Sequence, residues 1–206
     1  ATADAAPRRS QRALIATLFF ASVVNSVVFY VGPTQLPFLL QGFGPDAPTR
    51  TGLALGMITL FSALASLGYG RLRPRLGLLG GFALGFGLLA SGFALVGVAQ
   101  SYPVVMLAMA VAGAGIGTLM PTFSVSAMTI ASPASRGRVA GGLTASIFLG
   151  HFLSPLASQP LIAAAGYAAA FRDMGAVAAA MSLCALAASL YRRRTRSLPA
   201  AQSEFS

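Results

Sequence analysis

Residues 70–77 read Gly-Arg-Leu-Arg-Pro-Arg-Leu-Gly, and they place three arginines close together in a chain that is otherwise mostly apolar. Of the 206 residues, 56% are hydrophobic and only 9% are charged, and the mean hydropathy is +0.76. These values lie outside the range of soluble globular domains and are typical of membrane proteins. The clustered charges therefore separate apolar segments that are candidates for membrane-crossing helices.

The net charge of +10 does not indicate a nucleic-acid-binding protein. Every basic residue is an arginine, and the arginines form short clusters between long uncharged runs, whereas nucleic-acid binding requires a continuous basic face. The single cysteine, Cys184, lies within an apolar run and excludes a disulfide framework. We expect no nucleic-acid partner, no metal site and no cofactor.

Six uncharged windows are long enough to span a bilayer, whose core of about 30 Å requires roughly 20 apolar residues per helix. They predict an all-α membrane domain over residues 13–191, with transmembrane helices at about 13–40, 52–69, 77–98, 103–130, 139–165 and 174–191. The third and fourth helices are separated at residues 99–103, where polar residues, a tyrosine and Pro103 coincide. We predict that residues 1–12 end a cytoplasmic linker and that residues 192–206 form a cytoplasmic basic tail.

The arginines also predict an orientation. All fourteen basic residues except Arg50 and Arg172 lie in the N-terminal segment, the 70–77 loop, the loop after the fourth helix, or the tail. Because cytoplasmic loops carry an excess of Lys and Arg, both termini and the 70–77 loop are predicted to be cytoplasmic in a multi-pass protein of the bacterial inner membrane. In this interpretation residues 70–77 anchor the topology through anionic lipid headgroups.

The positions of Gly70, Leu72, Arg75 and Gly77 resemble the loop signature of the major facilitator superfamily, although Pro74 stands where the family has an acid. Further segments resemble the same family in order: FYVGPTQLPFLL at 29–40, GAGIGTLMPTF at 113–123, SPASRGRVAGG at 132–142, GHFLSPLASQPL at 150–161 and AGYAAAF at 165–171. The resemblance implies that the chain is the C-terminal six-helix half of a twelve-helix transporter. It also implies steric roles for Gly70 and Gly77, and a larger role for Arg75 than for the neighbouring arginines.

In this family each half nests two inverted three-helix repeats, so the first and fourth helices are equivalent. Both contain residues that interrupt or bend a helix and are candidates for gating: Pro33, Pro37, Gly113, Gly117 and Pro121. Small residues four positions apart are also the usual contact pattern between membrane helices. Both interpretations stay open for the glycines.

Polar side chains inside membrane helices are costly and mark either function or interhelical hydrogen bonds. The candidates for a substrate cavity are Asn25, Tyr30, Gln35, His151 and Gln159. Asn25 and His151 lie near the centres of the first and fifth helices, so both can line one cavity. His151 can hold a proton near neutral pH, bind substrate, or make an interhelical hydrogen bond. No acidic residue falls inside a predicted span, so any carboxylate relay is expected in the N-terminal half.

The leading hypothesis is a secondary transporter that exports a small amphipathic solute by alternating access, coupled to protons as an antiporter. Its partners would be the bilayer, the N-terminal six-helix half, the solute and protons. One alternative is a naturally short six-helix protein that acts as a dimeric transporter or a scaffold. A remote alternative is a rhomboid-like intramembrane serine protease with Ser91 and His151, although Leu89 stands where that family has glycine. We expect no enzymatic activity and no catalytic residues.

Overall fold

A computed structural model describes residues 9–44 and 46–197, and these residues form four α-helices. The helices are α1 (Arg9–Leu40), α2 (Ala47–Val98), α3 (Tyr102–Ile130) and α4 (Arg136–Ser197), with short 3-10 turns at Gln41–Phe43 and Pro133–Ser135. All four are long and apolar enough to cross a membrane. Most of the predicted linker and much of the predicted tail lie outside the described residues.

Helices α2 and α4 are each divided by one glycine. At 52 and 62 residues they would be about 78 and 93 Å long if straight, far more than the bilayer core of about 30 Å. Gly77 (φ 67°, ψ −174°) and Gly166 (φ 80°, ψ 174°) leave the helical conformation for a region that is nearly exclusive to glycine. A Cβ atom at either position would meet no neighbour within 4 Å. The backbone conformation, and not close packing, therefore requires glycine here.

Helix α2 reverses its direction at Gly77. Residues on both sides of the break contact the same part of α3, since Gly113 lies against Ile58 and Gly115 lies against Gly85. A straight helix could not bring residues 58 and 85 to one place on a neighbouring helix. Segments 47–76 and 78–98 therefore pack against two different sides of α3.

The helical segments extend beyond the predicted membrane spans. The first segment of α2 stays helical through residue 76 instead of ending near residue 69, and the second segment of α4 begins at residue 167 instead of near 174. Arginine favours helices, and a helix does not have to end at the membrane surface. The membrane limits of each segment stay a prediction.

Glycines allow α3 to approach α2 closely. A Cβ atom at Gly113 would overlap the carbonyl oxygen of Ile58, and one at Gly117 would overlap the carbonyl oxygen of Ser62. The Ser66 hydroxyl also donates a hydrogen bond to the carbonyl oxygen of Gly117 at 2.9 Å. These contacts support the helix-packing interpretation of both glycines, and a gating role stays a prediction.

The second segments of α2 and α4, residues 78–98 and 167–197, form another packed pair. Phe93 and Phe171 meet edge to face with ring centroids 5.4 Å apart, and both side chains are fully buried. The Ser182 hydroxyl donates to the carbonyl oxygen of Ala83 at 2.6 Å. Helix α1 completes the bundle by packing along residues 136–165.

Candidate functional site

The contact between α1 and residues 136–165 carries three of the five predicted cavity residues, Tyr30, Gln35 and His151. One stripe of the α4 segment has a small buried residue at every fourth position: Ser146, Gly150, Ser154 and Ser158. The Ser154 hydroxyl donates to the carbonyl oxygen of Val27 at 2.8 Å, and a side chain at Gly150 would meet the backbone of α1. The spacing of four between small residues is the sequence signal of this stripe, and its serines were not among the predicted cavity residues.

Tyr30 and His151 meet beside this stripe. Their rings are stacked with centroids 4.4 Å apart and an interplanar angle of 18°. The rings of Phe29 and Phe148 lie 6.4 and 6.1 Å from the imidazole. Both Tyr30 and His151 are half-buried, so the pair presents an aromatic surface with a hydroxyl group and an imidazole.

The two glutamines differ in their surroundings. Gln35 is buried, and its Nε2 atom lies 3.5 Å from the hydroxyl oxygen of Ser158, which makes a long hydrogen bond across the same contact. Gln159, the residue after Ser158, is exposed. The structure therefore brings together Tyr30, Gln35 and His151 and leaves Gln159 outside this group.

Asn25 faces a different part of the molecule. Its side chain is 1% exposed, and neither amide atom has a hydrogen-bond partner among the described residues. Gly32, which lies two helical turns further along the same face of α1, is close to Ile58 and Phe93 of α2. Asn25 therefore lies on the face of α1 that includes Gly32, whereas His151 contacts Tyr30. A cavity shared by Asn25 and His151 stays a prediction.

Comparison with known protein families identifies the chain. The family model described as Major Facilitator Superfamily matches residues 18–205. The chain belongs to the Major Facilitator Superfamily. Members of this family are membrane transporters and not enzymes, which excludes the serine protease alternative. Consistently, the Ser91 hydroxyl donates to the carbonyl oxygen of Gly87 at 2.8 Å.

Solved structures of superfamily proteins share this fold. Two crystal structures of a single-residue variant of the peptide transporter POT, one with sulfate and one with alafosfalin, each align with a TM-score of 0.66. Their sequence identities are 22% and 20%, and the alignments cover 87% of this chain but only 37% and 38% of the POT chains. No curated protein sequence is significantly similar to the chain. The chain thus has the superfamily fold over less than two-fifths of the length of a POT transporter.

The superfamily loop signature lies at the end of the first α2 segment. Gly70 and Arg75 are both exposed, and a methyl group at Gly70 would meet no atom within 4 Å. The structure therefore gives no steric reason for Gly70, and Gly77 is required for its positive φ. Within the signature, Gly77 is the residue whose structural role is evident.

The predicted gating prolines all lie within continuous helix. Pro33 and Pro37 are in α1, Pro121 is in α3, and all three are half-buried. Each proline lacks the N–H group that would bond to the carbonyl four residues earlier, so each weakens the helix locally. A bending role for these positions stays a prediction.

Replacement of Asn25 by leucine is expected to stabilise the protein. A buried amide without partners costs about 1–3 kcal/mol, and leucine has a similar volume with no polar atoms. We expect the Asn25→Leu variant to raise the thermal unfolding midpoint by a few degrees, measured by size-exclusion chromatography after heating in detergent. Gln35→Leu is the matched control and should give no such gain, because Gln35 has a partner in Ser158. A lower midpoint for Asn25→Leu would show that its amide is satisfied in the folded protein.

Proposed function

We propose that the chain is a six-helix half of a secondary transporter that exports a small amphipathic solute by alternating access, together with a second, N-terminal six-helix half. The six helices would be α1, residues 47–76, residues 78–98, α3, residues 136–165 and residues 167–197. Each is long enough to cross a core of about 30 Å. Membership of the superfamily supports this arrangement.

The pattern of contacts supports an inverted repeat of three plus three helices. In such a repeat the first, second and third segments correspond to the fourth, fifth and sixth. The contact between α1 and residues 136–165 then corresponds to the contact between α3 and residues 47–76, and both contacts are made by small residues. The same correspondence relates Gly77 to Gly166, whose backbone angles are nearly equal. The third and sixth segments, residues 78–98 and 167–197, correspond to each other, and they pack together in the structure. Repeats of this kind place the substrate site between them, near the bilayer midplane.

The stacked Tyr30–His151 pair is the observation that carries the proposed binding surface. His151 lies at the middle of the 136–165 segment and Tyr30 in the second half of α1, and both side chains are half-buried. Phe148 and Phe152, which are both 68% exposed, extend the aromatic surface along the same segment. Such a surface, apolar with few hydrogen-bonding groups, suits an amphipathic solute better than a polyhydroxylated one.

His151 is proposed to couple transport to protons or to bind the solute directly. The acidic residues of the described chain, Asp46 and Asp173, lie near helix starts and away from the middle of the bundle. The imidazole is therefore the group near mid-span that can exchange a proton close to neutral pH. A carboxylate that completes the relay is proposed to lie in the N-terminal half.

Both termini are proposed to face the cytoplasm of a bacterial inner membrane. The two ends of the described chain lie together, since Ser10 and Arg192 line one cavity, and Gln11 donates to the carbonyl oxygen of Ile130 at 2.7 Å. At the opposite end, Tyr102 donates to the carbonyl oxygen of Arg50 at 2.9 Å. The arginine-rich ends therefore share one side of the bundle, as the positive-inside rule requires.

An export assay tests this function. Cells that lack their own pumps are loaded with a panel of fluorescent amphipathic dyes, and efflux is followed with the full-length protein, with and without a proton uncoupler. We expect faster efflux of at least one dye than in cells with empty vector, and loss of this difference on uncoupling. Greater dye accumulation in expressing cells would contradict the direction, and efflux that resists the uncoupler would contradict proton coupling.

The same cells separate the half-transporter from the short dimeric alternative. Expression of the 206-residue chain without the N-terminal half should give no efflux, because the substrate site requires both halves. Efflux by this chain alone, together with a dimeric mass in detergent, would support the dimeric transporter instead.

A further inference from the structure

A cavity of about 650 Å³ lies at the end of the bundle that carries both ends of the described chain. It is separate from the Tyr30–His151 surface and is lined by residues of α1, residues 78–98, α3 and residues 167–197. Its walls are mainly apolar, with Leu14, Leu18, Phe82, Phe86, Met181 and Ala185 among the lining residues. The proposed transport mechanism does not use this cavity.

The length of the cavity matches one leaflet of a bilayer. Its α1 wall runs from Ser10 to Ala21, which at 1.5 Å per residue is about 16 Å. The bilayer core is about 30 Å thick, so the cavity reaches from one membrane surface to roughly the midplane. A single acyl chain of a phospholipid occupies this depth.

Most of the polar residues of the cavity lie near its outer end. Arg192 is exposed and lines the cavity, and Ser10, Gln11 and Thr129 line it near the ends of their helices. The hydroxyl oxygen of Ser126, one turn further in, is buried and does not face the cavity. A positive charge at the surface thus lies at the outer end of a mainly apolar cavity.

The cavity is open along the edge between α1 and the last segment of α4. Leu14 and Thr17 on one side, and Cys184 and Ala188 on the other, line the cavity and are exposed. An apolar cavity that is open along membrane helices faces acyl chains, and these can enter it from the side. The acidic residues of the described chain, Asp46 and Asp173, lie at the other end of the bundle, so nothing acidic in the described chain repels an anion at Arg192.

We propose that this cavity binds one anionic phospholipid from the leaflet on the side of both termini. The phosphate would lie against Arg192, and one acyl chain would lie between Leu18 and Phe86. Arg192 would attract the anionic headgroup, and the acyl chain would fill the apolar cavity. This assignment does not depend on what the protein transports or on the direction of transport.

Native mass spectrometry of the full-length protein tests the proposal. The protein is released from nanodiscs that contain equal amounts of phosphatidylglycerol and phosphatidylcholine with identical acyl chains, and the bound lipids are counted. We expect one retained lipid with preference for phosphatidylglycerol. Arg192→Gln should lower this preference about fivefold, the effect of one arginine near a membrane surface. Ala188→Phe, which fills the cavity, should remove the retained lipid whatever its headgroup.

Matched controls lie on the same helical segment. Arg194→Gln removes an exposed arginine that does not line the cavity, and Ala187→Phe adds the same bulk at an exposed position outside it. Both controls should retain lipid as the parent protein does. Equal loss of preference in Arg192→Gln and Arg194→Gln would overturn the proposal in favour of diffuse surface charge. Full lipid retention in Ala188→Phe would overturn it as well. A dimer of the parent protein that binds no lipid and that Ala188→Phe dissociates would also overturn it.

Discussion

Gly117→Ala is expected to lower the thermal unfolding midpoint of the protein by about 5 °C, whereas Gly56→Ala leaves it unchanged or raises it. A methyl group at Gly117 would overlap the carbonyl oxygen of Ser62, which is backbone and cannot move aside without separating two helices. Overpacking of this kind typically costs about 1–3 kcal/mol. At Gly56 a methyl group would meet no atom within 4 Å, so only the gain in helix propensity of up to about 1 kcal/mol is left.

The measurement compares monodisperse protein after heating in detergent for the parent chain and both variants. Because the two substitutions are chemically identical, any general effect of alanine on the helices cancels in the comparison. Gly113→Ala should behave like Gly117→Ala, since its methyl group would overlap the carbonyl oxygen of Ile58. Unchanged stability of both α3 variants, combined with slower transport, would restore gating as the role of these glycines.

His151→Ala is expected to reduce uncoupler-sensitive export about 100-fold, the lower limit of what a positioned proton-transfer group contributes. The amount of protein in the membrane should change little, because the imidazole is half-buried and packs against the rings of Phe29, Tyr30 and Phe148. His151→Gln should be as defective as the alanine variant in coupled export. Glutamine keeps hydrogen-bonding groups but cannot hold a proton at neutral pH.

The control for His151 is Leu149→Ala, which shortens an exposed side chain two positions earlier and therefore on nearly the opposite side of the helix. It should retain most of the export activity. Initial efflux rates are measured with the dye identified in the export assay and are normalised to the amount of protein in the membrane. Full coupled export by His151→Ala would remove this residue from the site, and full export by His151→Gln alone would assign it to solute binding without proton transfer.

The position of chain reversals was accessible from the sequence. Uncharged windows of the required length, separated by arginine clusters or by polar residues with proline, predicted six helical segments. The structure has breaks at Gly77 and Gly166, close to the predicted connections. Such breaks depend on local chemistry, because a membrane limits the length of an apolar helix and a positive φ requires glycine. The extension of helix through residues 70–76 was not predicted, since the charges that end a membrane span do not end a helix.

The sequence predicted only in part which candidate site residues lie together. The cost of polar groups in lipid selected Gln35 and His151 among others, and the structure places both at contacts between α1 and α4. The expectation that Asn25 and His151 line one cavity stays a prediction: Asn25 is buried without a hydrogen-bond partner among the described residues, and His151 stacks on Tyr30. Depth follows from counting residues along a helix, but the direction of a side chain around the helix does not.

Composition, the lengths of uncharged runs and the placement of arginines and glycines therefore determined that this is a helical membrane protein, where its chain reverses, and which family it resembles. The tertiary structure decided which face of each helix meets which neighbour. A helix in lipid is apolar all round, so its sequence lacks the polar and apolar faces that orient a helix in a soluble protein. The orientation is set by close contacts of small residues, such as Gly117 against Ser62 and Ser154 against Val27, and these exist only once the helices are packed.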